Sequence, residues 1–253
     1  WDEGFMSGYN SVKDYSTVWL FSQPETFIYT HFPENSTDQL LSRSISYQTF
    51  LQLPSLRPNF FDAISSVSDF RIVNRCNGNF ALNFVAKRGQ TLSCTVIEDG
   101  GSTFIKNADF IKSNGNAYEM LFSLPKATQY KISLFQQDST MEKSKFCGEF
   151  LLNATSASSV KFPQVFSNYG LEKDGIVISP IETLLRGQTY TFKVQSKYNN
   201  VAVVIDGQWI YLKGDGTGNF TAEATIPKNA QKVTINVKNA SGGYWSIVSY
   251  ELK

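Results

Sequence analysis

The feature that most constrains the fold is a repeat. Arg88-Gly89-Gln90-Thr91 recurs as Arg186-Gly187-Gln188-Thr189, and each copy enters a run that alternates apolar and polar residues. Further on, Leu124-Pro125-Lys126-Ala127 before Tyr130-Lys131-Ile132 is echoed by Ile226-Pro227-Lys228-Asn229-Ala230 before Val233-Thr234-Ile235. Two landmarks in the same order, at similar separations, predict two copies of one folding unit. The runs themselves, such as Phe80-Ala81-Leu82-Asn83-Phe84-Val85 and Val201-Ala202-Val203-Val204-Ile205, have the length and alternation of half-buried strands. Asp206-Gly207 between two of them is a hairpin signal, because both central residues of a type I′ turn need positive φ. A charged fraction of 18% with 14% aromatics also favours strands over surface helices.

The expected fold is therefore all-β: two tandem immunoglobulin-like β-sandwiches over residues 68–157 and 158–253. Ala154-Thr155-Ser156-Ala157-Ser158-Ser159 reads as the short linker between them. Residues 1–67 differ. They hold the only His and four of the eight prolines, and they read as an irregular, partly helical segment. Ser46 is placed to cap a turn or two of helix before Pro54. The start at Trp1, with neither an initiator Met nor a signal-peptide pattern, is expected to be an interior position of a longer polypeptide.

Chemistry is sparse. A hydrolase needs a thiol or hydroxyl beside a group that takes its proton, and His31, in Tyr29-Thr30-His31-Phe32-Pro33, has no Cys near it in sequence. A single His also argues against a His-rich metal site, so no cofactor and no catalytic residue are expected. Glu98-Asp99 and Asp138 read as loop carboxylates, and Gly214-Asp215-Gly216-Thr217-Gly218 as a hairpin loop, since no helix follows it to cradle a phosphate. A net charge of +1 without like-charge runs indicates neither a nucleic-acid groove nor a polybasic membrane patch, and no apolar stretch is long enough for membrane insertion.

Cys76, Cys94 and Cys147 are an odd count. A Cys76–Cys147 disulfide is open if the first and last strands of the first sandwich lie side by side; the other reading is three buried thiols acting as small apolar residues. Sequons occur at Asn35, Asn153, Asn219 and Asn239, with Asn153 and Asn239 expected in exposed loops. These and the low charge lean toward an extracellular or secreted protein, with a cytoplasmic or cytoskeletal one as the alternative. Trp209, Tyr211, Tyr244 and Trp245 raise the question of a lectin-like aromatic platform, although the core is the expected destination of Trp209 and Tyr211.

A family resemblance begins at the N-terminal segment. Trp1-Asp2-Glu3-Gly4, the stretch from Trp19-Leu20-Phe21 through Gln23-Pro24-Glu25-Thr26-Phe27-Ile28 to His31-Phe32-Pro33, and then Gln39-Leu40-Leu41 and Phe50-Leu51-Gln52-Leu53-Pro54 match a pattern in order and spacing. It resembles the kyphoscoliosis peptidase family of the transglutaminase-like superfamily, in which a papain-like Cys-His-Asp domain is followed by such a segment and by immunoglobulin-like modules. Phe162-Pro163, Phe166 and the closing Tyr244-Trp245 and Tyr250-Glu251-Leu252 also look like that family's final module. The resemblance implies that residues 1–67 are the C-terminal remnant of a transglutaminase-like domain, with the catalytic Asp just before Trp1 and the Cys and His further upstream. His31 matches the family's His-Phe-Pro position, which is not its base.

The expected function is a non-catalytic structural or protein-interaction module. Its partner would be another protein, in an assembly of which this chain is a subunit, or the chain's own upstream transglutaminase-like domain. The alternatives are the C-terminal part of a thiol enzyme and a carbohydrate-binding module.

Overall fold

In the computed structural model, residues 2–7, 10–15, 20–114, 117–138, 143–167, 169–170, 174–238 and 241–253 are described. Strands β1 (Asp2–Ser7) and β2 (Asn10–Tyr15) form an antiparallel hairpin. Two single-turn helices follow, α1 (Pro24–Phe27) and α2 (Tyr47–Phe50), with a 3-10 turn at Ser36–Gln39 between them. The Ser46 hydroxyl caps α2 as expected, accepting from the Thr49 amide at 3.1 Å.

The first sandwich contains β3 (Ser55–Leu56), α3 (Pro58–Ala63), β4 (Ile64–Val67), β5 (Val73–Cys76), β6 (Asn79–Ala86), β7 (Gln90–Glu98), β8 (Asp109–Asn114), β9 (Ala117–Ser123), β10 (Gln129–Asp138) and β11 (Lys145–Ala154). One sheet runs β4-β6-β9-β8; the other runs β3-β11-β10-β7, with β5 parallel to β11. This corrects the expectation that the sandwich opens at Ser68. Ser55 and Leu56 already pair with Glu149 and Gly148, and Ile64–Val67 pairs with β6. Leu56 and Phe60 are core residues, so the segment before Ser68 supplies two strands and a helix to the first core.

The second sandwich contains β12 (Gln164–Val165), β13 (Ile176–Ser179), β14 (Thr189–Gln195), β15 (Val201–Ile205), β16 (Gln208–Tyr211), β17 (Lys213–Gly214), β18 (Asn219–Thr225), β19 (Val233–Lys238) and β20 (Tyr244–Tyr250). Its sheets run β13-β14-β18-β17 and β12-β20-β19-β15-β16. In both sandwiches the order of the paired strands is that of the immunoglobulin fold, one sheet reading A-B-E-D and the other G-F-C. The first also has a tyrosine corner: near the start of its F strand, β10, Tyr130 accepts from the Lys126 amide at 3.0 Å and donates to the Lys126 carbonyl at 3.1 Å.

The two units are seamed together. Phe110 of β8 is only 1% exposed because it is buried among core residues of the second sandwich, 5.7 Å from the Phe162 ring and 5.5 Å from the Tyr169 ring. The Tyr169 hydroxyl donates to the Ile111 carbonyl at 2.5 Å, and Ser113 Oγ donates to Gln195 Oε1 at 2.8 Å. The linker is pinned as well: Ser156 Oγ donates to the Asn77 carbonyl, and the Ser158 amide donates to the Leu124 carbonyl.

Candidate functional site

The site is the outer face of the β12-β20-β19-β15-β16 sheet. In β15, Val201, Val203 and Ile205 join the core, so Ala202 and Val204 point outward. The Asp206-Gly207 turn, with φ of 48° and 86°, sets Gln208 opposite Ile205. That register puts Trp209 opposite Val204 and Tyr211 opposite Ala202, on the outer face. The pair therefore shares a face, as alternation predicts, but it is the solvent face: Trp209 is 41% and Tyr211 57% exposed. A two-residue hairpin transmits the orientation of one strand to the next without choice, and β15 had already committed its even positions outward.

Trp209 on β16 and Tyr244 on β20 are three strands apart in the sheet, roughly 14 Å at ~4.8 Å per strand, yet their ring centroids are 4.6 Å apart at 68°. The two side chains must lean toward each other over β15 and β19. The outward-facing Ala202, Thr234 and Asn236 of β15 and β19 are 0%, 4% and 9% exposed, so this part of the sheet face is covered by side chains. Tyr211 continues the layer, 6.2 Å from Trp209 and tilted 27° to it. Its hydrogen bond with Tyr244, together with burial, holds the Tyr244 hydroxyl above the usual phenol range. Asn236 Oδ1 accepts from Ser246 Oγ at 2.8 Å, and the Lys238 ammonium lies 5.9 Å from the Tyr244 ring centroid. Trp245 does not join this layer: it is in register with the core residue Val237 and points to the other side of β20.

The remaining candidates fall elsewhere. His31 stacks on Phe27 with centroids 4.0 Å apart, and its Nδ1 is 2.8 Å from Thr30 Oγ1. The Cys76–Cys147 disulfide is not formed, and all three cysteines are free. Strands β5 and β11 are neighbours as expected, but their register sets Cys76 opposite Ala154, seven positions along β11 from Cys147. At ~3.3 Å per residue that is roughly 23 Å, well beyond the about 7 Å a disulfide can span between Cα atoms.

Cys147 is buried, which pushes its thiol up to about 12. Cys94 is half-buried and is held high by desolvation and by its hydrogen bond to Asp109. Desolvation raises Asp109 itself to about 6. Nothing in the sequence pointed to this pair, because it joins edge strands of two different sheets.

Among the sequons, Asn35 is exposed at the 3-10 turn, and Asn153 is exposed but lies in β11 rather than in a loop. Asn219 opens β18 with its amide donating to Asp215 Oδ2 and Thr217 Oγ1, and Asn239 is outside the described residues. The Gly214–Gly218 stretch is a loop closed on Asp215, which also accepts from the Thr217 and Asn219 amides; these bonds hold its carboxyl well below the usual range. Among the described residues no group of three or more His, Cys, Asp or Glu could hold a metal, and no helix is long and apolar enough to cross a membrane.

Fold and site together define a tandem immunoglobulin-like protein with an aromatic sheet face. No family model matches the chain, and no curated protein does, so the kyphoscoliosis peptidase resemblance rests on its sequence motifs alone. Among solved structures, the chain is similar to a tandem of titin immunoglobulin domains, at 10% identity and TM-score 0.21, over 72% of this chain and 92% of that one. The N-terminal two-domain module of the Drosophila receptor protein tyrosine phosphatase DLAR gives 9% identity and TM-score 0.21, over 71% and 91%. The Bacteroides ovatus mixed-linkage glucan utilization locus protein SGBP-B gives 14% and 0.22, over 72% of this chain; this chain spans 42% of that one. Scores so low add nothing to what the strand order establishes.

Proposed function

We propose that the chain is a non-catalytic interaction module, a two-sandwich strut that presents its surfaces at a fixed spacing to a partner protein in a larger assembly. The observation that carries this reading is the seam. Phe110 is buried in the neighbouring sandwich, and Tyr169 and Gln195 hydrogen-bond back to the strand that bears it. Immunoglobulin-like units that act independently need no such contact, since relative motion is the default for domains joined by small interfaces.

Small-angle scattering and amide relaxation test it. The intact chain should tumble as one body, and Phe110→Asp should release the sandwiches while each keeps its own unfolding transition. Independent tumbling of the unsubstituted sandwiches, or thiol-dependent turnover by this chain alone, would sink the reading.

A second reading is favoured by the segment before the first sandwich. Leu20, Phe21, Leu40, Tyr47 and Leu51 are exposed there, and Phe32 clusters with Tyr47 and Phe50 at 5.3 and 5.1 Å. Such a surface suits docking against another domain. With the family resemblance, it supports a chain that is the C-terminal part of a Cys-His-Asp thiol enzyme. A longer natural polypeptide carrying those three residues, with thiol-dependent turnover, decides for it.

A further inference from the structure

We infer that the aromatic layer on the outer face of the second sandwich is a binding platform for an uncharged saccharide, stacked on Trp209 and Tyr211. The inference deepens the interaction-module reading by naming a ligand class for one of its surfaces.

The geometry of the rings selects the ligand. Ala202, Thr234 and Asn236 are buried in this layer, while Trp209 and Tyr211 keep large exposed areas above it. The two rings differ in tilt by only 27° with centroids 6.2 Å apart, and 41% of Trp209 and 57% of Tyr211 stay open to solvent. The open face of an aromatic ring carries the negative lobe of its quadrupole and attracts polarised C–H bonds. A pyranose ring offers such bonds together on one face and points its equatorial hydroxyls sideways. Around the platform are groups that can meet those hydroxyls, the Tyr211 and Tyr244 phenols and Ser246.

Charge argues in the same direction. Of the outward positions on β15, β19 and β20 in this layer (Ala202, Val204, Thr234, Asn236, Lys238, Tyr244, Ser246 and Ser249), Lys238 alone is charged, and it lies against the Tyr244 ring. A proline-rich peptide also seeks Trp and Tyr, and the test separates it from a sugar.

The test is titration of the intact chain with neutral oligosaccharides (cello-, malto-, manno- and chito-hexaose) at up to millimolar concentration, by calorimetry and saturation-transfer NMR. At least one should bind. Trp209→Ala and Tyr211→Ala should each weaken it tenfold or more, while Trp245→Ala, on the other side of β20, leaves it unchanged. Tyr211→Phe keeps the stacking face and should lose less than Tyr211→Ala, which separates ring contact from general damage to the sheet; unfolding curves confirm that each variant is folded. Failure of all four sugars to bind overturns the inference, as does binding indifferent to Trp209→Ala and Tyr211→Ala. A proline-rich peptide that binds this face in place of any sugar overturns it too, yet leaves the interaction-module reading standing. That reading fails separately, on independent tumbling of the two sandwiches.

Discussion

The thiol of Cys94 hydrogen-bonds the carboxylate of Asp109 across the open edge of the first sandwich, where β7 ends one sheet and β8 ends the other. Burial is the larger influence on Asp109 and raises it to about 6, and the bond from Cys94 only partly offsets that. A carboxyl raised in the folded state contributes stability that is fully present below its unfolded value near 4 and is lost as pH rises through about 6. Asp109→Asn should therefore stabilise the protein at pH 7 by about 2 kcal/mol, allowing for partial solvent exposure of the group. The gain should close toward pH 4. Urea unfolding of both proteins between pH 4 and 7 checks this, and parallel curves would show that the carboxylate is not desolvated. Because β8 also carries Phe110 into the second sandwich, the same substitution reports on the strand that forms the seam.

The cysteines should all be titratable as thiols in the unfolded protein, with no loss under non-reducing conditions. In the folded protein, Cys147 and Cys94 should resist alkylation at pH 7.5, because the thiolate is the reacting species and burial suppresses it at both. Native-state labelling followed by peptide mass mapping distinguishes the sites. A Cys76–Cys147 disulfide in the isolated protein would contradict the strand register, since β5 would have to slide by about seven residues along β11.

Signals that depend on a few adjacent residues are legible in the sequence; relationships between strands and sheets are not. Asp206-Gly207 names its own turn and Ser46 its own helix cap, since each depends on a few adjacent residues. Of the two repeat landmarks, Leu124-Pro125-Lys126 and Ile226-Pro227-Lys228 do precede the equivalent strands β10 and β19, but the Arg-Gly-Gln-Thr motifs enter β7 and β14, which are the C strand of one sandwich and the B strand of the other. The direction of Trp209 does not depend on its neighbours alone. It follows from which side of β15 meets the opposite sheet, and an apolar run such as Val201-Ala202-Val203-Val204-Ile205 does not declare that side. Cys76 and Cys147 show the same limit: adjacent strands were expected and found, but register is fixed by the whole sheet. The early start of the first sandwich was hidden because β3 is two residues long and α3 interrupts the alternation.

Gly78 holds the linker against the first sandwich. Its φ is +90°, and a Cβ there would lie 2.6 Å from both the Ser156 carbonyl oxygen and the Ser158 amide nitrogen, which are backbone atoms that cannot rotate away. Gly100 has a similar φ of +77° with nothing within 4 Å, so it isolates the conformational part. Gly100→Ala should cost about 1 kcal/mol and Gly78→Ala roughly 2 kcal/mol more, because the clash adds to the strain. Thermal unfolding of the two variants measures the difference. Equal losses would mean that the linker can shift away from Gly78 at little cost.

The two sandwiches place their tyrosine ties at different corners, and that makes one substitution informative. Tyr130 pairs with Glu98, the last residue of β7; the equivalent position in the second sandwich, opposite the last residue of β15, is Val233. The first sandwich therefore ties its corner through the Tyr130 hydroxyl to both backbone groups of Lys126, a link that Val233 cannot make. The second has a tyrosine tie in the connection between β13 and β14 instead: Tyr190 accepts from the Leu185 amide at 2.7 Å. Tyr130→Phe preserves the buried ring and removes two hydrogen bonds, so it should cost about 1–2 kcal/mol, drawn wholly from the first sandwich. Hydrogen exchange resolves where the loss falls. Protection should drop across β10 and its partners β7 and β11, while β14 and β18 keep theirs. An equal drop in both sandwiches would mean that the seam at Phe110 couples them into a single unfolding unit, which would strengthen the case for a rigid strut while refuting a corner that acts locally.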